Sequence, residues 1–167
     1  MAAESYFSPY AKAIAEAKNR HEAQEALDAA IRKQTDDCAA FFKALGECLS
    51  KEMGKANEGL AQSGFKNQFD GLYAAKPPDF RMTISFGGAP DTREIILDLS
   101  DRSYPTIRIR DAEDSPTGSL QFVLKDVDKG LQVYVTEGGG TARWDLPLSA
   151  ADVAVRTIEN VIDGLFR

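Results

Sequence analysis

Residues 80–86 read Phe80-Arg81-Met82-Thr83-Ile84-Ser85-Phe86, an alternation of apolar and polar side chains that is typical of a half-buried β-strand. Before this stretch the apolar residues recur with the period of a helix, and after it the alternation repeats. The later repeats are Ile95-Leu97-Leu99, Ile107-Ile109, Leu120-Phe122-Leu124, Leu131-Val133-Val135 and Ala142-Trp144-Leu146. The sequence therefore predicts six strands.

The connections between these stretches predict how the strands pair. They are short and rich in turn residues, as in Gly87-Gly88-Ala89-Pro90 and Asp128-Lys129-Gly130, and they leave no room for a crossover helix. Consecutive strands joined in this way pair antiparallel. We therefore expect a six-stranded antiparallel meander sheet with one apolar face, which helices cover, and one polar face.

The region before the strands favours a long amphipathic helix. Apolar side chains from Leu27 to Leu60 fall within an arc of about 120°, which predicts one helix over residues 22–62 with a single packing face. Ser63-Gly64 is a typical helix end. The aromatic residues that follow are spaced by four, as in a helical turn, and we expect them to hold a linker against the core.

The first twenty residues do not share that packing face. Ser8-Pro9 is a helix start signal, because serine caps well and proline is tolerated in the first turn. Tyr10 and Ile14 lie about 80° to 120° away from the later apolar stripe. We therefore expect a bend or a separate short helix near residues 19–21.

A second helix closes the chain. Ser149 and Asp152 have the spacing of a capping box, with aspartate in place of the usual glutamate. The apolar stripe that follows comprises Val155, Ile158, Val161, Ile162, Leu165 and Phe166. We expect this helix to pack on the sheet, which gives an α+β domain in which residues 1–79 form a helical region and linker and residues 80–167 the sheet and C-terminal helix.

Composition excludes several classes of protein. The 167 residues suit one domain, and the net charge of −6 disfavours a nucleic-acid binder, which depends on a positive field. The sequence lacks the run of about 20 apolar residues that a membrane span needs, and the N-terminus has no secretory signal pattern.

Cys38 and Cys48 would lie about 15 Å apart on one helix, too far for a disulfide. Free thiols predict a cytoplasmic protein.

No catalytic, metal-binding or cofactor-binding constellation is indicated. His21 is the single histidine, so multi-histidine zinc sites and a Ser-His-Asp triad lack their central residue. Glycine-rich phosphate loops that open a helix are absent from the sequence as well. We therefore predict no cofactor and no metal, and an enzyme ranks below two other classes of function.

The first hypothesis is a non-enzymatic interaction or assembly module that forms a homodimer, or binds another protein, through its N-terminal helices. The Tyr10 and Ile14 face supports it, because one sheet cannot also cover that face. A polar sheet face could serve recognition or could simply be solvated. Its candidate recognition residues are Arg81, Arg108, Arg110, Tyr134 and Arg143.

The alternative is a small-molecule binding protein with an apolar pocket between the sheet and its covering helices. The candidate pocket residues are Phe42, Leu45, Phe69, Tyr73, Phe86 and Trp144. The same side chains could instead fill a solid core, since natural cores contain few voids.

Overall fold

The computed structural model describes residues 9–71, 80–87, 92–101, 103–111, 120–127, 130–137, 141–142 and 147–165. The elements are α1 (Ala11–Gln62), β1 (Phe69–Asp70), β2 (Arg81–Phe86), β3 (Thr92–Asp98), β4 (Thr106–Asp111), β5 (Leu120–Val127), β6 (Gly130–Glu137), β7 (Thr141–Ala142) and α2 (Ala150–Leu165). The long N-terminal helix, the antiparallel sheet and the C-terminal helix confirm the predicted α+β fold class. By compactness the chain divides into two units, Met1–Thr35 and Asp36–Arg167.

The strands form one sheet in which spatial order follows sequence order and every neighbouring pair is antiparallel. Met82 lies opposite Ile95, Ile95 opposite Ile109, and Ile109 opposite Leu120. This register places the apolar half of each alternation on one face, as the sequence predicts. The sixth predicted strand is observed as Thr141–Ala142, and residues 143–146 lie outside the described chain.

The apolar face of the sheet packs against the second half of α1 and against α2. Phe42 on α1 meets Phe80, which precedes β2, edge to face with ring centroids 6.2 Å apart. Leu45 and Leu49 are fully buried in the same cluster as Val153 on α2. Each large apolar side chain removed from water in this way contributes roughly 1.5 to 3 kcal/mol of hydrophobic stabilisation.

α1 is continuous from Ala11 to Gln62, so the separate short helix expected as one alternative near residues 19–21 is not formed. The helical phase of the apolar residues changes there without ending the helix, because the side chains of residues 12–30 are exposed and need not share the packing face of residues 38–60. The helix also begins later than predicted. Pro9 and Tyr10 form a turn, and the amide of Ile14 donates to the carbonyl of Tyr10 over 2.8 Å.

The end of α1 is a Schellman motif, as the Ser63-Gly64 pair predicts. Phe65 N–H donates to the carbonyl of Leu60 over 2.9 Å, and Gly64 N–H donates to that of Ala61 over 3.1 Å. Gly64 has a φ of 86°, which a residue with a Cβ adopts at a cost of about 1 to 2 kcal/mol.

After the helix, the expected helical turn around Phe65 and Phe69 is replaced by the short strand β1. Phe69 pairs with Phe86 on β2, and the two rings meet with centroids 5.2 Å apart. On its other side, Phe69 N–H donates to Asn57 Oδ1 over 2.7 Å, and Asn57 Nδ2 donates to the Phe69 carbonyl over 3.1 Å. The Asn57 amide therefore occupies the edge that another strand would pair with, and it fixes α1 to the sheet.

α2 begins with the predicted capping box. Ser149 N–H donates to Asp152 Oδ2 over 3.0 Å, and Asp152 N–H donates to Ser149 Oγ over 3.1 Å. The Ser149 hydroxyl also donates to Asp152 Oδ2, over 2.9 Å, and the two hydrogen bonds that Ser149 donates to this carboxylate hold the pKa of Asp152 below its ordinary value. The stabilisation is therefore complete above that ordinary value and is lost as the pH falls through the folded-state pKa. The buried face of the helix is shifted from the prediction, because Val153 and Thr157 are buried whereas Val155 is exposed.

Candidate functional site

The N-terminal stretch of α1, residues 12–30, has no buried or half-buried side chain. Tyr10 is 69% exposed, Ile14 63% and Leu27 54%, which are large values for apolar residues. Burial in α1 starts at Cys38. Leu27 was expected to continue the core stripe, and its exposure corrects that expectation.

Pairs of side chains four residues apart stabilise this stretch locally. Lys18 Nζ lies 3.8 Å from Glu22 Oε1, and His21 Nε2 lies 3.1 Å from Glu25 Oε1. Gln24 Nε2 donates to Asp28 Oδ1 over 2.9 Å. Each such pair contributes about 0.2 to 0.5 kcal/mol, far less than the burial of one leucine. The stretch therefore has a charged, exposed surface that is stabilised mainly by local pairs.

A heptad pattern runs along the same stretch. Tyr10, Ala17, Gln24 and Ile31 follow each other at intervals of seven. Interleaved with them, and also at intervals of seven, are Ala13, Arg20 and Leu27. In a left-handed coiled coil, positions spaced in this way share one side of the helix. These seven residues are here called the heptad seam. Sequence reasoning missed the seam because it treated residues 27–60 as one stripe facing one core.

The predicted recognition face is the polar face of the sheet, and its described arginines are paired with carboxylates. Glu94 lies between two of them, with Oε1 3.5 Å from Arg81 Nη1 and Oε2 3.1 Å from Arg110 Nε. Arg108 Nη2 lies 3.5 Å from Asp98 Oδ2. Cross-strand pairs of this exposed kind contribute at most about 1 kcal/mol each. They also neutralise much of the positive charge that would attract an anionic ligand.

Tyr134 and Asp98 on this face are also held by hydrogen bonds. Tyr134 is only 7% exposed, and its hydroxyl donates to Gln132 Oε1 over 2.5 Å. Hydrogen bonds from Ser100, with a smaller contribution from the Arg108 charge, hold the pKa of Asp98 below its ordinary value. Arg143 lies outside the described residues. The described part of the face is thus a network of ion pairs and hydrogen bonds within the sheet.

The predicted pocket residues that the structure describes all belong to the core. Phe42, Leu45, Phe69 and Phe86 are buried in one continuous apolar cluster that also contains residues of β3 to β6 and α2. Tyr73 and Trp144 lie outside the described residues. All four described members are thus buried in the core, and two of them, Phe69 and Phe86, are in direct ring contact.

Other reactive side chains are dispersed. Cys38 and Cys48 are both free thiols, the first buried and the second half-buried. His21 lies on the exposed stretch of α1, beside Glu25. Within the described ranges, no three His, Cys, Asp or Glu side chains converge as metal ligands would.

None of the helices described is both long enough and apolar enough to cross a lipid bilayer.

Comparison with known proteins adds no relative: no protein-family model, curated protein or solved structure matches the chain. The heptad seam is the candidate functional site because its residues recur at heptad spacing and because Tyr10 and Leu27 are exposed.

Proposed function

We propose that this protein is a non-enzymatic assembly module that forms homodimers through the N-terminal stretch of α1. The observation that carries the proposal is the exposure of Ile14 and Leu27 on one continuous helix and of Tyr10 in the turn just before it. Two of these residues belong to the heptad seam, and Ile14 lies next to it. Apolar residues at heptad spacing are the pattern by which exposed helices recognise one another, and in this seam Arg20 and Gln24 interrupt them at the centre.

Helix energetics support the same proposal. Most helical stability in proteins comes from packing of an apolar face, and the paired side chains of residues 18–28 contribute only a few tenths of a kcal/mol each. Pairing with a second copy would add the missing packing, since burying one leucine contributes about 1.5 to 3 kcal/mol.

The free thiols of Cys38 and Cys48 support a reducing, cytoplasmic setting for such a module.

Sedimentation equilibrium over a wide range of protein concentration tests the proposal. We expect the wild-type chain to pass from monomer to dimer as the concentration rises. Leu27→Glu should weaken the dimer by about a hundredfold or more, because each copy loses a buried leucine and gains a charge in the seam.

Ala26→Glu is the matched control. It introduces the same charge one residue away, at a position that the heptad places on the opposite side of the helix from the seam. We expect its dimer to be as strong as the wild type's. A wild-type chain that stays monomeric at every concentration would exclude the proposal. If Ala26→Glu were as damaging as Leu27→Glu, association would run through another surface. If a different protein were instead required for association, the module would be one of hetero-assembly.

A further inference from the structure

We infer that the two copies pair antiparallel, with Ala13 and Ala17 of one copy facing Ile31 and Leu27 of the other. In this arrangement Arg20 of each copy faces Gln24 of the other copy. The inference rests on the proposed self-association and names its geometry. It follows from the sizes and the charges of the residues in the heptad seam.

Side-chain size is distributed unevenly along the seam. Its N-terminal part carries the small residues Ala13 and Ala17, and its C-terminal part carries the large residues Leu27 and Ile31. Parallel, in-register pairing would bring alanine against alanine at one end and leucine or isoleucine against itself at the other. Helices packed through small side chains approach to about 8 Å, and those packed through large ones lie nearer 10 Å apart. Parallel helices would therefore have to diverge along the seam.

Antiparallel pairing removes this conflict. Each layer of Ala13 with Ile31 or of Ala17 with Leu27 then contains one small and one large side chain, so the spacing between the helices is the same at both ends of the seam. Alternation of large and small residues across an interface is what lets facing layers interdigitate at native packing density. The seam of one copy is thus complementary, in side-chain size, to the seam of a second copy that runs in the opposite direction.

Arg20 gives an independent argument about charge. In a parallel pair it would face its own copy across the seam, and two guanidinium groups would be brought together while losing water. In the antiparallel pair it faces the amide of Gln24. Because the amide nitrogen of Gln24 donates to Asp28, the Gln24 oxygen is oriented as an acceptor near an acidic residue. A guanidinium group can donate to both.

The contact of Arg20 with Gln24 and the sizes of the seam side chains therefore favour the same orientation.

Disulfide trapping on the full-length chain tests the orientation. Ala17→Cys and Leu27→Cys are prepared as separate variants, each with Cys48→Ser so that only the buried Cys38 is left of the native thiols. Each variant is oxidised alone and in an equal mixture. We expect the mixture to form a covalent heterodimer at about tenfold or more the yield of either variant alone, because like positions would lie ~15 Å apart along the pair, beyond the reach of a disulfide.

Ala13→Cys with Ile31→Cys provides a second, independent pair with the same expectation. Efficient cross-linking of each single variant with itself would show parallel pairing and overturn the inference, while leaving the proposed self-association intact. Absence of cross-linking in every sample, together with a monomeric mass for the wild type by sedimentation, would overturn both.

Discussion

Residues 12–30 and residues 38–60 belong to the same helix, yet they meet different surroundings. The second stretch buries Cys38, Leu45, Leu49 and other residues against the sheet, whereas every side chain of the first stretch is exposed. Both stretches carry apolar residues at helical spacing. Periodicity therefore identifies a helix face suited to packing, but it does not identify what packs there.

The largest expected effect comes from making one substitution in both stretches. Leu45→Ala removes a fully buried side chain and should lower the free energy of unfolding by about 2 to 5 kcal/mol. Leu27→Ala, in dilute monomeric protein, should change it by no more than about 0.5 kcal/mol. Urea denaturation of both variants measures the difference. Equal losses would mean that Leu27 packs within the monomer, and the contrast between the stretches would be wrong.

A smaller effect is expected from substituting two of the side-chain amides of α1, Asn57 and Gln24. Asn57→Ala removes both hydrogen bonds that hold Phe69, and should destabilise the fold by about 1 to 3 kcal/mol because the backbone groups of Phe69 lose their partners. Gln24→Ala, its counterpart in the exposed stretch, should cost the dilute monomer about 0.5 kcal/mol or less. Thermal denaturation of both variants at low protein concentration compares them. If Asn57→Ala were as mild as Gln24→Ala, β1 would be held by its pairing with β2 alone.

The sheet and the ends of the helices could be predicted because their signals are local. Alternation placed Met82, Ile95 and Ile109 on the buried face, and Ser149 with Asp152 marked the start of α2. The strand β1 could not be predicted in this way. Its two residues are too few to show alternation, and its conformation depends on Phe86 and Asn57, which are distant in the sequence.

The candidate sites were harder to predict, because a site depends on which surfaces are left uncovered. The arginines of the polar sheet face looked suited to recognition, but Glu94 and Asp98 on β3 pair with three of them. Conversely, Leu27 looked like a core residue and is exposed. Exposure is a property of the whole fold, so neither result follows from the residue's own neighbours in the sequence.

Hydrogen exchange at several protein concentrations tests whether the chain associates with itself through the exposed stretch, residues 12–30. Amides of residues 12–30 should exchange fast in dilute protein, where only local pairs hold the helix, and should become protected as the dimer forms. Amides of residues 38–60 should be protected equally at all concentrations, because the sheet covers them. If exchange in residues 12–30 were the same at every concentration, the claim that this stretch is an assembly surface would be contradicted.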